Sequence, residues 1–577
     1  MASNLDHLTL GRLLRQSCER FRDRPAMYPW SRDGYRPMTY GDLADTVRRY
    51  ASAVRALGLE RGDRLVILSE NCADWAWTDW ACQTLGVVVV PIYPTLPADQ
   101  VEYIVRDSGA KVVAIGSEEQ APKVKDLDGI RVIRLQRSDA GESLEELSRS
   151  APEMTESEWN ASIDAAREDD LATLIYTSGT TGLPKGAMLT QRSMTWIVDA
   201  IRKELPIDEN DTFFTFLPMS HVYERVAGQV LPIACGSAIA YAGSLRTLAD
   251  DVRKVRPTIM LCVPRFLDSV RTKILEAISK SPPIRQKLFA LAYSQGLNHA
   301  RGKAAPLFGL TDKLVGAKIR ERLGGRLRFV VSGGAALPLF VADFYDAFGI
   351  PVLQGYGLTE TSAVVSVNRP GHARPETIGP PISGVDVKIA ADGEILVKAP
   401  CVMKGYFGLA EETAAAIDAE GWFHTGDIGA WDNGHLKITD RKKDLLVLGN
   451  GKNVAPQPIE NKLKESRFIA EAVLFGDGQE YCSALIVPEF DAVKAWGQAN
   501  GHAFTDEGEL VQHDAVRALI KKEIDGINAG LADFERVKKH ALLSRPFSEA
   551  TGELTPTMKV KRRVVRDKYR DLIDSLH

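Results

Sequence analysis

Residues 174–186 read Leu-Ile-Tyr-Thr-Ser-Gly-Thr-Thr-Gly-Leu-Pro-Lys-Gly, an apolar strand running directly into a turn of hydroxyls and glycines that ends on a lysine. Glycines let backbone N–H groups approach phosphate oxygens, hydroxyls add donors or ligate a divalent cation, and the lysine supplies a point charge. The stretch therefore reads as a cradle for a polyphosphate. A Walker A loop requires GxxxxGK[ST]. Here Gly179 and Gly182 are three apart and Lys185 is followed by Gly186, so the loop is of another kind. Composition alone would also allow a Gly/Thr-rich surface turn; the length and order of the stretch weigh against that.

Working outward, apolar runs at 64–69, 87–92, 111–116, 211–217, 258–263 and 327–332 alternate with helix-like segments, among them a Trp-rich segment after residue 70 that reads as amphipathic. Strands alternating with helices imply right-handed parallel crossovers, so the body is expected to be α/β with mainly parallel sheets. From about Pro380 short strands and turns suggest a β-rich subdomain, and after Asp440 the texture changes again. The expected division is an N-terminal domain of residues 1–440 and a small α+β C-terminal domain of residues 441–577.

The 577 residues carry 72 Lys and Arg against 76 Asp and Glu, so no global basic field points to nucleic acid. Seven scattered cysteines without a CxxC pair argue against a disulfide framework and against zinc. The first twenty residues carry charges throughout and lack the apolar run of a secretory signal, which points to a cytoplasmic setting. The apolar stretch from Val226 to Gly243 is interrupted and too short to span a bilayer, leaving buried core or the wall of an apolar tunnel. Residues 271–328 hold thirteen Lys or Arg against three acids. That run reads either as a solvated helix face or as a contact for an anionic membrane surface or an acidic cofactor tail.

Residues 176–186 resemble the signature of the adenylate-forming (AMP-dependent synthetase/ligase) superfamily. Six further segments resemble its motifs in the same order: Leu217-Pro-Met-Ser-His-Val-Tyr-Glu-Arg225, Ser332-Gly-Gly-Ala-Ala-Leu-Pro338, Gln354-Gly-Tyr-Gly-Leu-Thr-Glu-Thr361, Gly421-Trp-Phe-His-Thr-Gly-Asp427, Asp440-Arg-Lys-Lys-Asp444 and Glu553-Leu-Thr-Pro-Thr-Met-Lys559. Residues 424–431 and 436–460 are similar to the long signature of bacterial long-chain fatty acyl-CoA synthetases. The resemblance implies a large N-terminal domain and a small mobile C-terminal one. It also implies a two-step reaction: a fatty carboxylate displaces diphosphate from MgATP, then the thiol of CoA displaces AMP. ATP, CoA and fatty acid are the expected partners, with Mg2+ as cofactor.

Adenylation brings an anionic carboxylate against an anionic α-phosphate, so charge neutralisation and positioning are the main needs. By resemblance Lys559 meets them, although Thr557-Met558-Lys559 stands where most relatives have Thr-Gly-Lys, and Lys561 is the rival. Thr177 and Glu360 match the magnesium contacts, with Glu360 also counted as catalytic. Ser178, Gly179, Thr180, Thr181, Gly182 and Lys185 match the phosphate loop. Asp427 matches the carboxylate accepting both ribose hydroxyls, and Arg441 the ribose and phosphate contact. Gly333, Gly334, Ala335, Gln354, Gly355, Tyr356, Gly357 and Thr359 line the expected adenine and ribose pocket, with Tyr356 stacking on the base.

His221 holds the place where the family keeps an aromatic or imidazole ring near the reacting carboxylate. Lys443 matches the hinge, and Gly449 and Gly451 the pantetheine tunnel. Some bacterial relatives carry a tryptophan gate four residues after the histidine. Arg225 stands there in this chain, so that gating scheme does not transfer. Left open are a fatty acyl-AMP ligase feeding a carrier protein, an aryl or medium-chain synthetase, a nucleotide-binding scaffold without turnover, monomer or homodimer, and peripheral attachment to the inner face of a membrane.

Overall fold

In the computed structural model, which describes residues 8–139, 141–177, 183–244, 246–555 and 559–577, the apolar runs become strands of two large sheets. In the first, Leu171–Thr177 lies between Lys185–Thr190, antiparallel to it, and the parallel strand Val88–Ile92. Arg64–Leu68, Val112–Ile115 and Arg131–Arg134 complete the sheet in parallel. The central strands are covered on both faces, which is why they read as unbroken apolar sequence.

The second sheet runs in the order Val352–Tyr356, Phe329–Ser332, Ile259–Cys262, Thr212–Thr215, Ala238–Tyr241 and Pro25–Tyr28, all parallel. Short antiparallel strands, Ser366–Val367 and Met38–Thr39, close its two edges. Parallel strands end on the same side, so the loops after Ser332, Tyr356 and Thr215 share one carboxyl edge, the usual place for a ligand in such sheets. Helices Pro264–Ser279, Pro283–Ala300 and Leu339–Ala347 cover one face through a core that includes Phe289, Phe344 and Phe348.

The Trp-rich segment forms the helix Ala73–Leu85, but it is not amphipathic. Asp74 and Asp79 are buried along with Trp75 and Trp80. It packs among three other helices and the strand Val88–Ile92, and its acids are tolerated because each is hydrogen-bonded. The stretch from Val226 to Gly243 opens with the π-helical segment Glu224–Val230 and ends in the central strand Ala238–Tyr241. All seven cysteines are free.

The chain forms two compact units, residues 1–388 with 396–424, and residues 389–395 with 425–577. The division falls ahead of residue 440 because the hairpin pairing Asp427 with Arg441 belongs as a whole to the second unit. That unit is built on a sheet in which Ile469–Phe475 is antiparallel and Val537–Leu542 parallel to Cys482–Pro488. Helices Pro456–Leu463 and Asp514–Asn528 cover one face, and Arg562–Lys568 and Arg570–Asp574 the other.

Candidate active site

Ser178, Gly179, Thr180, Thr181 and Gly182 lie outside the described residues. The two strands that bracket them are described: Thr177 pairs with Lys185, and Thr177 Oγ1 donates to the Lys185 carbonyl at 3.5 Å. Lys185 Nζ forms an ion pair with Glu412 and stands 5.4 Å from the centre of the Tyr406 ring. The Tyr406 hydroxyl in turn donates to Glu360 Oε1 at 2.9 Å. Burial and the Glu360 carboxylate both hold the Tyr406 proton in place, far above the ordinary phenol range. Lys185 and Glu360 are thus linked through one aromatic ring at the end of the strand that carries Thr177.

Glu360 sits on a one-turn helix, Thr359–Thr361, and the backbone just after it is strained: Ser362 and Ala363 have φ of 53° and 97°. Its carbonyl accepts from Met403 N at 2.7 Å, and Ser362 Oγ donates to the Cys401 carbonyl at 2.8 Å. Gly357 is required here, because a Cβ on it would lie 2.0 Å from the Ala363 carbonyl oxygen. Gly357→Ala is therefore expected to displace Glu360. Thermal melting should register the clash as a transition several degrees lower, and a variant that melts like wild type would argue against it.

On the carboxyl edge of the second sheet, Gly333 N donates to the Cys262 carbonyl at 3.1 Å, and its open face lies against the Tyr223 ring. Gly334 has φ of 82°, and it and Ala335 are exposed. Gln354 is buried and its Oε1 accepts from Leu337 N at 2.9 Å, so its side-chain oxygen holds the 333–338 turn. Gly355 and Tyr356 pair with Val367 and Ser366, and Tyr356 and Thr359 are buried. His221 is half-buried. Its Nδ1 accepts from Tyr223 N at 3.1 Å, which leaves the proton of the neutral ring on Nε2, and the Tyr223 hydroxyl donates to the Val331 carbonyl at 3.0 Å.

The second unit holds the remaining residues. Asp427 is buried, takes an ion pair from Arg441 Nε at 3.3 Å, and has its own N–H held by Thr425 Oγ1 at 3.1 Å. Lys443 follows the strand His435–Arg441, and the neighbouring Lys442 is paired with Glu394 at 3.0 Å. Lys559 is half-buried, and desolvation is the main cause that pushes its pKa down to about 8, with Arg441 and Lys443 adding to the fall and Asp427 opposing it. Its N–H donates to Thr555 Oγ1 at 3.0 Å, while Leu554 and Val560 form a bridge across the turn. Gly449 lines an open cavity of about 740 Å³ together with Gly478, Tyr481, Lys538 and Lys539. Gly451, with φ of 79°, closes the adjoining turn through Leu448.

A family model described as AMP-binding enzyme matches residues 14–407, and one described as AMP-binding enzyme C-terminal domain matches residues 443–577. The chain belongs to the AMP-binding enzyme family. It is 34% identical over 578 residues to Long-chain-fatty-acid–CoA ligase FadD15 of Mycobacterium tuberculosis, covering 97% of this chain and 96% of that protein. It is 32% identical over 579 residues to human Long-chain-fatty-acid–CoA ligase 1, covering 94% and 82%. The crystal structure of the anthranilate CoA ligase AuaEII in complex with anthranoyl-AMP has the same fold, with a TM-score of 0.76 at 20% identity over 99% of this chain and 98% of that one.

Two residues of this AMP-binding enzyme, Tyr406 and Glu553, are given no role by its motifs. Tyr406 lies in a segment that adds to the edge of the strand Lys185–Thr190 through hydrogen bonds from Phe407 N to the Gly186 carbonyl and from Lys404 N to the Met188 carbonyl. Glu553 opens the Lys559 motif as a fully buried carboxylate. Burial alone would raise its pKa, but donors from Thr551, Lys568 and Arg545 hold it down at about 2. The Glu553 backbone carbonyl also accepts from Lys561 N at 2.7 Å.

Proposed function

We propose that this AMP-binding enzyme is a long-chain fatty acid–CoA ligase that converts ATP, a fatty acid and CoA to AMP, diphosphate and acyl-CoA through an acyl-adenylate. The observation that carries the acid class is the near-full-length match to relatives named long-chain-fatty-acid–CoA ligases. The chemistry is supported by the linked set Lys185, Tyr406 and Glu360 beside Thr177, and by Asp427, Arg441 and Lys559 in the second unit.

In the first step a carboxylate oxygen attacks the α-phosphorus and the bond to the bridging oxygen breaks, releasing diphosphate. Lys185 and the 178–182 loop hold the β- and γ-phosphates. Lys559 neutralises charge at the reacting carboxylate and α-phosphate, which must otherwise approach as two anions. His221, with its ring fixed by Tyr223 N–H, offers Nε2–H to the carboxylate. Asp427 accepts the ribose hydroxyls, Arg441 holds the ribose and α-phosphate side, and Gly333, Gly334, Ala335 and Tyr356 enclose the adenine.

Thr177 and Glu360 offer the hard oxygen donors suited to Mg2+, which when bound screens the phosphate charge. In the second step the CoA sulfur attacks the acyl carbon, the thiol proton is lost and AMP leaves. Lys443 serves as the hinge about which the residues that follow it move between the two steps, with Gly449 and Gly451 along the pantetheine path and Lys538 and Lys539 facing the phosphates of CoA.

The test incubates the protein with MgATP and a ladder of fatty acids, with and without CoA, and identifies products by mass spectrometry. Acyl-CoA should form only with CoA and peak at long chains. Acyl-AMP that accumulates without thioester would make the chain an acyl-AMP ligase, and turnover confined to aryl or short acids would refute the long-chain reading.

A further inference from the structure

Glu394 opens the strand Glu394–Lys398, outside every motif described above, and is only 4% exposed. A buried carboxylate is tolerated where donors meet it. Gly426 N donates to its Oε1 at 2.9 Å, and Lys442 Nζ donates to its Oε2 at 3.0 Å. Lys442 Nζ also reaches Asp392 Oδ2 at 2.6 Å, while Asp392 Oδ1 accepts from Glu394 N at 3.1 Å. All of these residues belong to the second unit.

Gly426 and Lys442 sit on opposite arms of one hairpin. Lys442 N donates to the Gly426 carbonyl at 2.8 Å, the rung next to the pair Asp427 and Arg441. Glu394 therefore staples the open end of the ladder, one rung from the two side chains assigned to the ribose and phosphate. Its own backbone is fixed to the same arm, because Thr425 Oγ1 donates to the Ile395 carbonyl at 2.7 Å and Gly429 N to the Gly393 carbonyl at 3.0 Å. A ladder frays from its open end, so the last rung held shut decides where the chain can begin to turn. Lys443 is the next residue.

We propose that Glu394 is a positioning residue with two effects: its bond to Gly426 N aims Asp427 at the ribose, and its pair with Lys442 keeps the ladder closed so that the pivot falls at Lys443. The carboxylate acts through the hairpin rather than on the reacting atoms. This rests on the roles proposed above for Asp427 and Lys443, and it does not depend on which acid the enzyme activates.

The test measures AMP binding by calorimetry and amide hydrogen exchange, both on the full chain. Glu394→Ala should weaken AMP binding roughly tenfold or more, the scale of losing a hydrogen bond to a charged group, and should speed exchange over residues 426–446. Glu394→Gln keeps an acceptor for Gly426 N but loses the charge that holds Lys442. It should bind AMP within a few-fold of wild type, yet exchange faster over residues 440–446. Lys442→Met, at a half-exposed side chain, should behave like Glu394→Gln, and it carries the test if Glu394→Ala does not fold. In every variant the strand Cys482–Pro488 should exchange as in wild type. Glu394→Ala that binds AMP like wild type, Glu394→Gln that binds as weakly as Glu394→Ala, or exchange that rises evenly through residues 425–577 would overturn the proposal. Asp427→Asn separates this from the reading beneath it: if that variant binds AMP like wild type the ribose role fails, while exchange over residues 440–446 still judges the pivot.

Discussion

Replacing Lys559 with alanine is expected to slow acyl-adenylate formation by roughly a hundred- to a thousandfold, the usual consequence of removing one preorganised group from a charge-developing centre. Thioester formation from supplied acyl-AMP should run near the wild-type rate, because the charge that Lys559 neutralises no longer develops in that step. ATP-diphosphate exchange measures the first half, and release of AMP from acyl-AMP and CoA measures the second. Equal loss of both halves would remove the role assigned to this lysine. The rival is separable: Lys561 has its backbone N–H tied to the Glu553 carbonyl, and Lys561→Ala should leave exchange within a few-fold of wild type.

The same side chain predicts a pH profile. Desolvation, assisted by Arg441 and Lys443 and opposed by Asp427, brings Lys559 down to about 8 from 10.5. Below that value the ammonium is charged and competent; above it the charge is lost. For exchange, kcat/KM reports the free enzyme, so it should fall as pH rises through about 8. Lys559→Arg keeps its charge throughout that range, and the alkaline fall should disappear even though the guanidinium fits less well. An alkaline limb that persists unchanged in the arginine variant would assign the titration to another group.

Much of the fold was legible because its strands are buried on both faces. Sequences such as Arg64-Leu-Val-Ile-Leu68 and Phe329-Val-Val-Ser332 can hardly be anything else, and the alternation with helices dictates parallel pairing. In the candidate site, local motifs marked residues that are close along the chain, Thr177 and Lys185 among them, and these stand opposite one another on paired strands. The site was not legible where partners are distant. Tyr406 reaches Glu360 across 46 residues, and nothing in Lys404-Gly-Tyr-Phe407 marks it. The helix Ala73–Leu85, which reads as amphipathic, is buried for the same reason: the partners of Asp74 and Asp79, namely Tyr50, Gln136 and Arg225, come from elsewhere in the chain. The limit between units moved because a hairpin folds as one ladder, whatever the composition at its far end.

The pair formed by Arg225 and Asp79 carries the largest expected effect on stability. Arg225 is fully buried; its Nε donates to Asp79 Oδ2 at 2.8 Å, its Nη2 to Oδ1 at 2.5 Å, and its Nη1 to Thr173 Oγ1 at 2.6 Å. Gln83 Nε2 donates to Asp79 Oδ1 at 3.1 Å, and Thr173 Oγ1 donates to the Val89 carbonyl at 2.6 Å. The network ties the strand ending at Thr177 to the segment carrying His221, whose carbonyl accepts from Arg225 N at 3.1 Å. Arg225→Met keeps the bulk but strands a buried carboxylate, which should cost about 3–5 kcal/mol. Thermal melting should show the main transition several degrees lower. Adding Asp79→Leu should restore most of that loss, because no unpaired charge remains and the coupling between the two sites is large. A single variant that melts like wild type, or a double variant no better than the single, would mean that the pair does not hold these elements together. Activity gives the second readout: at temperatures where the double variant is folded, its KM for ATP should stay raised, since Thr173 has lost the guanidinium that fixed its strand.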